Sequence, residues 1–527
     1  ERLPVSMTQQ NSLTFSQKVS RSWQQFLIGR PLATADAPHQ TIGKLIGLAV
    51  FASDALSSSA YSTQEMLVLL AVAVPASFHF SIPLTVAIIV LLTILTLSYE
   101  QTIHAYPGGG GAYIVARDNL GELPAQTAGA ALLMDYILTV SVSISSGVAQ
   151  IVSIFPGLVE YRVIIAVLMI GLIMIMNLRG VKESGRAFSI PTYYFIFMMI
   201  VTIVVGLVKF LSGTLGEVID PPLDLMPTVL QPVTFFLLLK AFASGTSAVT
   251  GVEAISNGIT AFKEPRSKNA GKTLIWMSII MGVLLLGITF LAHQVGAMPS
   301  EEETVFSQIA RTVFEGRGIM YILMLTATTV ILIMAANTAF ADFPRLGALH
   351  AGDGFLPRQF TYRGSRLVYS YGIGALAFVS SLLVVVFSAS VTRLIPLYAI
   401  GVFLSFTLSQ TGMAKRWWKC GHLKKDEKIQ EQGSVLTFDR HWKTKLLINA
   451  FGAFFTFIII FAFAFIKFKD GAWVIVVLIP ILVTIFYSIH RHYKKLASQL
   501  SLEGNHVATP AITRNRVIML ISGVHQG

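Results

Sequence analysis

This chain of 527 residues is 54% hydrophobic and only 13% charged. That composition excludes a soluble globular protein and predicts a polytopic membrane protein. The net charge of +12 would suit a nucleic-acid binder, but the Lys and Arg residues are concentrated in the loops between apolar runs. We therefore interpret the basic charge as a signal for membrane orientation and expect no nucleic acid as a partner. The single cysteine, Cys420, excludes an intrachain disulfide.

Twelve apolar runs predict an all-α protein with 12 transmembrane helices. Most of the runs have the ~20 residues that a helix needs to cross a bilayer. The Lys- and Arg-rich loops alternate with loops that carry acidic residues, which places both termini in the cytoplasm and the protein in the plasma membrane. The runs lie near residues 45–75, 82–98, 125–155, 162–178, 187–211, 233–262, 273–293, 319–342, 370–388, 394–412, 446–466 and 472–489.

The runs divide the chain into three expected parts. Residues 1–42 form a cytoplasmic N-terminal segment, and residues 43–492 form the transmembrane domain. Residues 493–527 form a cytoplasmic linker followed by the stretch "RVIMLISGV" at residues 516–524. This stretch has the continuous apolar pattern of a buried parallel strand followed by a glycine turn. We expect it to be the first strand of a C-terminal α/β domain, the rest of which lies outside this sequence.

Three carboxylates, Asp54, Asp135 and Glu253, lie inside apolar runs. A carboxylate at the centre of a membrane helix costs roughly 2.5–3.5 kcal/mol on insertion scales, so such residues are rare and usually functional. Asp54 and Glu253 fall in the polar, small-residue interruptions "FASDALSSSAYS" and "FASGTSAVTGVEAIS" of runs 1 and 6. Broken helices at corresponding positions of two halves are typical of a transporter's central site.

The two interruptions predict an inverted repeat. Runs 1–5 and 6–10 form two units of five helices, and an odd number of spans makes the second unit enter the membrane in the opposite orientation. We therefore expect a LeuT-like five-plus-five inverted repeat with broken helices 1 and 6, followed by two extra helices.

Run 3 contains a row of oxygen-bearing side chains, Asp135, Thr139 and Ser143. Their spacing of four residues places all three on one face of a helix. A lone Ser or Thr in a membrane helix often bonds only to its own backbone. With Asp135 at the end of the row, we favour a functional role. Other candidates are Tyr61, seven residues after Asp54, Thr250, three residues before Glu253, and Tyr398 in run 10.

These oxygen ligands suit a hard cation. No Cys or His cluster indicates zinc or copper, and Ca²⁺ or Mg²⁺ favours more carboxylates. Hydroxyl and carbonyl oxygens with few charges suit a dehydrated monovalent cation, although composition does not choose K⁺ over Na⁺. We expect no cofactor and no enzyme, because no catalytic arrangement is present. A receptor would need an output domain that this sequence does not show.

The loop after run 2, "AYPGGGGAYIVARDNLG", is rich in glycine. Glycines permit positive φ angles and close approach of two backbones. A phosphate-binding P-loop would need a following Lys-Ser/Thr pair, which is missing. We expect a tight turn packed beneath the helices.

Taken together, "ASDALSSSAYS", "YPGGGGAYIVARDNLG", "DYILTVSVSISSG", "TGVEAISN" and "LIPLYAIGVFLSFTLSQTGM" resemble the KimA-type potassium importers. These belong to the amino acid–polyamine–organocation superfamily and are related to the KUP transporters. The resemblance covers about residues 25–500 and implies a symporter of K⁺ and H⁺. It implies K⁺ ligation by Asp54, Tyr61, Asp135, Tyr136, Thr139, Ser143, Thr250, Glu253 and Tyr398. It further implies a homodimer and possible regulation by cyclic di-AMP.

Two alternatives stay open at this stage. An amino-acid or cationic amine permease of the same superfamily shares the Gly-rich loop, but acidic groups at both breaks would repel a substrate carboxylate. For proton coupling, Glu253 or Asp135 is the candidate, with Glu253 preferred because it lies at a helix break. We expect Thr250, one turn away from Glu253, to orient it.

Overall fold

The computed structural model describes residues 41–73, 75–221, 232–300, 303–424, 426–431, 433–466, 468, 471 and 473–500. Within these residues the protein is almost entirely helical. Residues 1–40 and 501–527 lie outside the described ranges, so most of the expected N-terminal segment and the predicted strand near 516–524 are not part of this structure.

The helices follow one another in the order of the apolar runs. Their bounds are α1 Lys44–Phe51, α2 Ser53–Leu70, α3 Ser81–Ala105, α4 Gly111–Asn119, α5 Glu122–Ile154, α6 Arg162–Leu178, α7 Val181–Leu211, α8 Phe235–Gly245, α9 Ala254–Asn257, α10 Arg266–Val295, α11 Val305–Val313, α12 Ile319–Gly352, α13 Ser370–Val386, α14 Val391–His422, α15 Trp442–Ile466 and α16 Trp473–Leu500.

Ten spans in the described ranges are long and apolar enough to cross a membrane, and they coincide with ten of the twelve predicted runs. The first predicted run is divided into α1 and α2. The ninth corresponds to α13, which has 17 residues. The protein is therefore a multi-pass membrane protein, and the number of 12 crossings stays a prediction.

Helix α5 is the centre of the bundle. Its most apolar stretch is 83% buried, against 17% for the span of α6 and 22% for that of α16. It packs against α12 and α14, and α2 packs against α8 and α12. Apolar side chains on α6, such as Leu168 and Leu172, are exposed, as expected for a helix that faces lipid.

One short hairpin departs from the predicted all-α fold. Strands β1 (Lys428–Gln430) and β2 (Val435–Thr437) pair antiparallel in the loop between α14 and α15. Ion pairs from Arg416 and Lys419 to Glu431 fasten the hairpin to α14. Each strand has three residues, which is too short for a sequence pattern of period two to be recognised.

Contacts between loops define the two ends of the bundle. At one end, Ile42 pairs in parallel with Phe262, and Arg117 on α4 forms an ion pair with Asp353. At the other end, Gln64 donates a hydrogen bond to the carbonyl oxygen of Ser300. The first end is the one that carries the Lys- and Arg-rich loops.

Candidate cation-binding site

The first helix break lies at Ala52, between α1 and α2. The carbonyl of Val50 has a partner at this break because the hydroxyl of Thr338 on α12 donates to it at 3.0 Å. Such side-chain donors stabilise an interrupted helix inside a membrane. Asp54 lies in the first turn of α2, where a negative charge is favoured by the positive end of the helix dipole.

The second break follows α8. The chain forms a 3₁₀ turn over Thr246–Val249, becomes extended at Thr250 and turns through Gly251 before α9 begins. Gly251 has a φ of +81°, and a Cβ there would lie 2.7 Å from Oδ2 of Asp54. Only glycine satisfies both the backbone conformation and the close approach. The two breaks are therefore in direct contact.

Asp54, Tyr61 and Thr250 form one part of the site. Ser58 connects them, because its hydroxyl donates to the carbonyl of Asp54 and lies 2.9 Å from the Tyr61 hydroxyl. The Ser58 hydroxyl also lies 3.4 Å from that of Thr250. Since α2 is uninterrupted from Ser53 to Leu70, two helical turns separate Asp54 from Tyr61. Ser58 therefore joins the two breaks by side-chain contacts.

The position of the Thr250 hydroxyl differs from the prediction that it orients Glu253. Its hydroxyl donates to the carbonyl of Ser247 at 2.8 Å and otherwise lies near Ser58. The extended backbone at Thr250 removes the helical spacing that would have placed it beside Glu253. Thr250 therefore turns toward α2.

The side chains of Asp135 and Glu253 are in hydrogen-bond contact, and both are buried. Asp135 is carried by the unbroken helix α5, whereas Glu253 immediately precedes α9 at the second break. A hydrogen bond between two carboxyl groups requires a proton on one of them. The contact therefore links the unbroken helix α5 to the second break through two carboxyl groups that can exchange a proton.

The other residues of α5 extend the site. The Thr139 hydroxyl donates to that of Tyr398 on α14 at 3.2 Å, and Ser143 is buried one turn further along. Tyr398 lies within electrostatic range of Asp54 and Asp135. Tyr136 has a different partner, since its hydroxyl accepts a hydrogen bond from the Asn257 side chain. Thr139 and Tyr398 thus line the same cluster, while Tyr136 lies at its border.

The Gly-rich loop lies beneath this border. A Cβ at Gly111 would be 1.6 Å from Oδ1 of Asn257, and Gly109 and Gly110 also have positive φ angles. The predicted close approach of backbones is present at Gly109, where a Cβ would lie 3.0 Å from the carbonyl oxygen of Asn257, and α4 follows directly.

Three oxygens at the centre of the site are buried and accept no hydrogen bond from the described residues: Oδ1 of Asp54, Oδ1 of Asp135 and Oε2 of Glu253. Among the described residues, no group of three or more His, Cys, Asp or Glu side chains is arranged so that it could hold a metal ion. The carboxylates therefore do not form one multi-carboxylate centre of the kind that Ca²⁺ prefers. They are distributed among hydroxyls, an arrangement that suits a weakly held monovalent cation.

The sequence pattern did not single out Asp342 on α12, a further buried carboxylate that interacts with the site. Asp342 interacts electrostatically with both Asp54 and Glu253. It closes the run "AANTAFAD" and is followed by Arg345, so it resembles an ordinary acid at the end of a span. Ser58 and Asn257 were also missed, because their roles depend on contacts with distant helices.

Comparison with known proteins identifies the family. The family model for amino acid permeases matches residues 41–487. Over 483 residues the chain is 46% identical to the potassium transporter KimA of Bacillus subtilis strain 168. The aligned residues cover 91% of this chain and 76% of that protein. Since the relative is a transporter and the model describes permeases, this protein is not an enzyme. The chain belongs to the amino acid permease family.

Proposed function

We propose that this protein imports K⁺ together with H⁺ by alternating access, with K⁺ bound between α2, α5 and the break that precedes α9. The observation that carries the proposal is the contact between the two breaks at Gly251 and Asp54, with Asp135 and Glu253 paired beside it. The similarity to the potassium transporter KimA supports K⁺ as the cation.

The proposed ligands combine few charges with several neutral oxygens. A dehydrated monovalent cation exchanges its water for such oxygens without being held too tightly to leave. The buried carboxylate oxygens of Asp54 and Asp135 supply negative charge, and hydroxyls on α2, α5 and α14 and at Thr250 in the second break supply neutral oxygens. The full set is Asp54, Tyr61, Asp135, Tyr136, Thr139, Ser143, Thr250, Glu253 and Tyr398.

Proton coupling is proposed for Glu253, with Asp135 as its partner. Burial favours the neutral acid and a nearby positive charge favours the ionised carboxylate, so this pair can exchange a proton during the K⁺ cycle. For symport, the proton and K⁺ must be bound together in the inward step, and both are then released on the cytoplasmic side. Glu253 precedes a helix of only four residues and can move with the break, whereas Asp135 is held in a helix of 33 residues. Movement of Glu253 would carry the proton from one side of the membrane toward the other.

For the whole chain we propose 12 spans in a five-plus-five inverted repeat with both termini cytoplasmic. The bridge between Ile42 and Phe262 supports the inverted repeat, because it joins the start of the first broken segment to the end of the second, as expected for segments that run in opposite directions. The basic loops near Lys263 and Arg366 would then be cytoplasmic. Assembly as a homodimer and regulation by cyclic di-AMP stay predictions from the family resemblance.

A cationic amine or amino-acid permease is the second candidate, favoured by the family model itself. Such a permease binds the substrate carboxylate at free amides of the broken first helix. Here Asp54 lies at that position with one oxygen unpartnered by the described residues, and it would repel a carboxylate. A simple cation avoids this repulsion.

Uptake of labelled rubidium and of labelled amino acids by proteoliposomes separates the two candidates. We expect rubidium uptake that excess K⁺ suppresses, whereas excess Na⁺, lysine or a polyamine does not. Expression should also restore growth at low external K⁺ to a cell without other K⁺ uptake systems. Uptake of an amino acid or amine with no rubidium uptake would overturn the proposal.

A further inference from the structure

Asp342 is a buried carboxylate for which the K⁺ site has no use. It is 2% exposed on α12, and within the described residues neither of its oxygens accepts a hydrogen bond. A buried carboxylate without a hydrogen-bond donor is expensive at membrane depth and is usually retained for function. Its position relative to the site and to a neighbouring cavity indicates that function.

On one side Asp342 faces the site. It interacts electrostatically with Glu253, Asp54 and the Tyr136 hydroxyl. On the other side Nη1 of Arg345, one turn further along α12, lies 3.8 Å from its Oδ1. That distance allows charge attraction without a hydrogen bond. Asp342 therefore interacts with both the Glu253 carboxyl group and the Arg345 guanidinium.

Arg345 opens onto a cavity of about 260 Å³. Ala341 and Pro344, the neighbours of Asp342 in sequence and on the helix, line the same cavity, together with Arg363 and Arg366. Thr260 and Ala261 line it as well, next to the bridge between Ile42 and Phe262. The cavity therefore belongs to the end of the molecule with the basic loops.

We propose that Asp342 is the proton-transfer residue between Glu253 and this arginine-lined cavity. The inference rests on the proposed coupling of K⁺ to H⁺ and adds the route by which the proton leaves. A proton passes from the Glu253 carboxyl group through water to an Asp342 oxygen and leaves Glu253 as a carboxylate. Asp342 then gives that proton to water in the cavity, and Arg345 stabilises the resulting carboxylate.

The lining of the cavity separates the path of the proton from that of K⁺. Three arginines repel a free cation as it enters a confined space. A proton moves along a chain of hydrogen bonds. It therefore does not have to fit between the guanidinium groups as a free ion. K⁺ therefore leaves by another route, and the cavity releases the proton alone.

Two measurements on purified protein in liposomes test the proposal: acidification of the lumen when external K⁺ is added, and exchange of labelled rubidium for K⁺ across the membrane. Exchange requires cation binding and conformational change but no net release of protons. Asp342→Asn should slow acidification by about tenfold or more, since buried acid–base groups contribute at least that much. Exchange should stay within about twofold of wild type, which also reports that the variant is folded.

Arg345→Gln provides the second test, with Arg363→Gln as its matched control. Both arginines line the cavity, but Arg363 contacts Tyr369 instead of Asp342. Without Arg345 the carboxylate is less favoured, so acidification should require a lumen more alkaline by about one pH unit. Arg363→Gln should leave this pH dependence unchanged.

The outcomes separate this inference from the proposed function. If wild-type protein acidifies the lumen and Glu253→Gln does not, while Asp342→Asn acidifies at the wild-type rate, the coupling stands and the role of Asp342 is wrong. Equal shifts for Arg345→Gln and Arg363→Gln would also overturn it. If wild-type protein moves K⁺ without protons, the coupling itself fails, and the inference fails with it.

Discussion

Asp54 is the residue on which cation binding depends most. Asp54→Asn keeps the shape of the side chain and removes its charge, so we expect a folded protein with K⁺ uptake reduced at least about 100-fold, in line with the loss of a buried charge. Rubidium uptake at matched expression is the measurement. The control is Ser59→Ala, since the Ser59 hydroxyl donates only to the carbonyl of Leu56 among the described residues. Uptake by Asp54→Asn near the wild-type rate would make Asp54 structural.

Thr139 and Ser143 supply neutral oxygens. Thr139→Ala and Ser143→Ala should raise the half-saturating K⁺ concentration by about three- to tenfold each, the usual value of one polar contact. Ser141→Ala is the matched control on the same helix, because the Ser141 hydroxyl faces the carbonyls of Ile137 and Ser380. Unchanged half-saturation for both Thr139 and Ser143 variants would show that these hydroxyls serve only the helices.

At the scale of single residues, the sequence identifies a functional candidate when a charged side chain lies within an apolar run. Asp54, Asp135 and Glu253 stood out because each is an acid within an apolar run. Asp342 did not stand out, because Arg345 follows it by one helical turn. From the sequence the two residues are interpreted as an ordinary surface ion pair. The contact between Thr139 and Tyr398 joins helices α5 and α14, and no local pattern in either helix indicates its partner.

The broken segment between α8 and α9 depends on Gly251. Gly251→Ala forces a Cβ into a left-handed backbone conformation at 2.7 Å from the Asp54 carboxylate. We expect K⁺ affinity to fall by at least about tenfold, since strain of this kind costs about 1–3 kcal/mol. Gly171→Ala is the control, because a Cβ at Gly171 meets nothing within 4 Å. Equal half-saturating concentrations for the two variants would contradict the proposed contact between the breaks.

Predicting the elements from sequence succeeded where composition changes abruptly. The Ser, Gly and Thr cluster in run 6 marks the second interruption, whereas in run 1 the chain breaks at Ala52, just before a Ser cluster that is helical. The conformation inside the second break was not predictable, because helical spacing placed Thr250 beside Glu253 and the extended backbone turns it toward Ser58. The hairpin at Lys428–Thr437 was missed since its strands are short and its fastening partners lie on α14 and α4.

At the scale of the whole molecule, the orientation follows from the basic loops. In a Cys420→Ser background, Lys268→Cys should resist an impermeant thiol reagent added to intact cells, because the first turn of α10 is predicted to be cytoplasmic. Gly216→Cys, which is exposed at the opposite end, should react rapidly and serves as the control. Efficient labelling of Lys268→Cys with a silent Gly216→Cys would invert the topology.

The central claim is that K⁺ and H⁺ move inward together through a site that contains Asp135 and Glu253. The most direct test is luminal acidification of proteoliposomes on addition of external K⁺, compared for wild type, Glu253→Gln and Asp135→Asn. The account predicts acidification by wild type and its loss in Glu253→Gln, with rubidium binding retained. K⁺ entry into wild-type liposomes without any change in luminal pH would contradict the account.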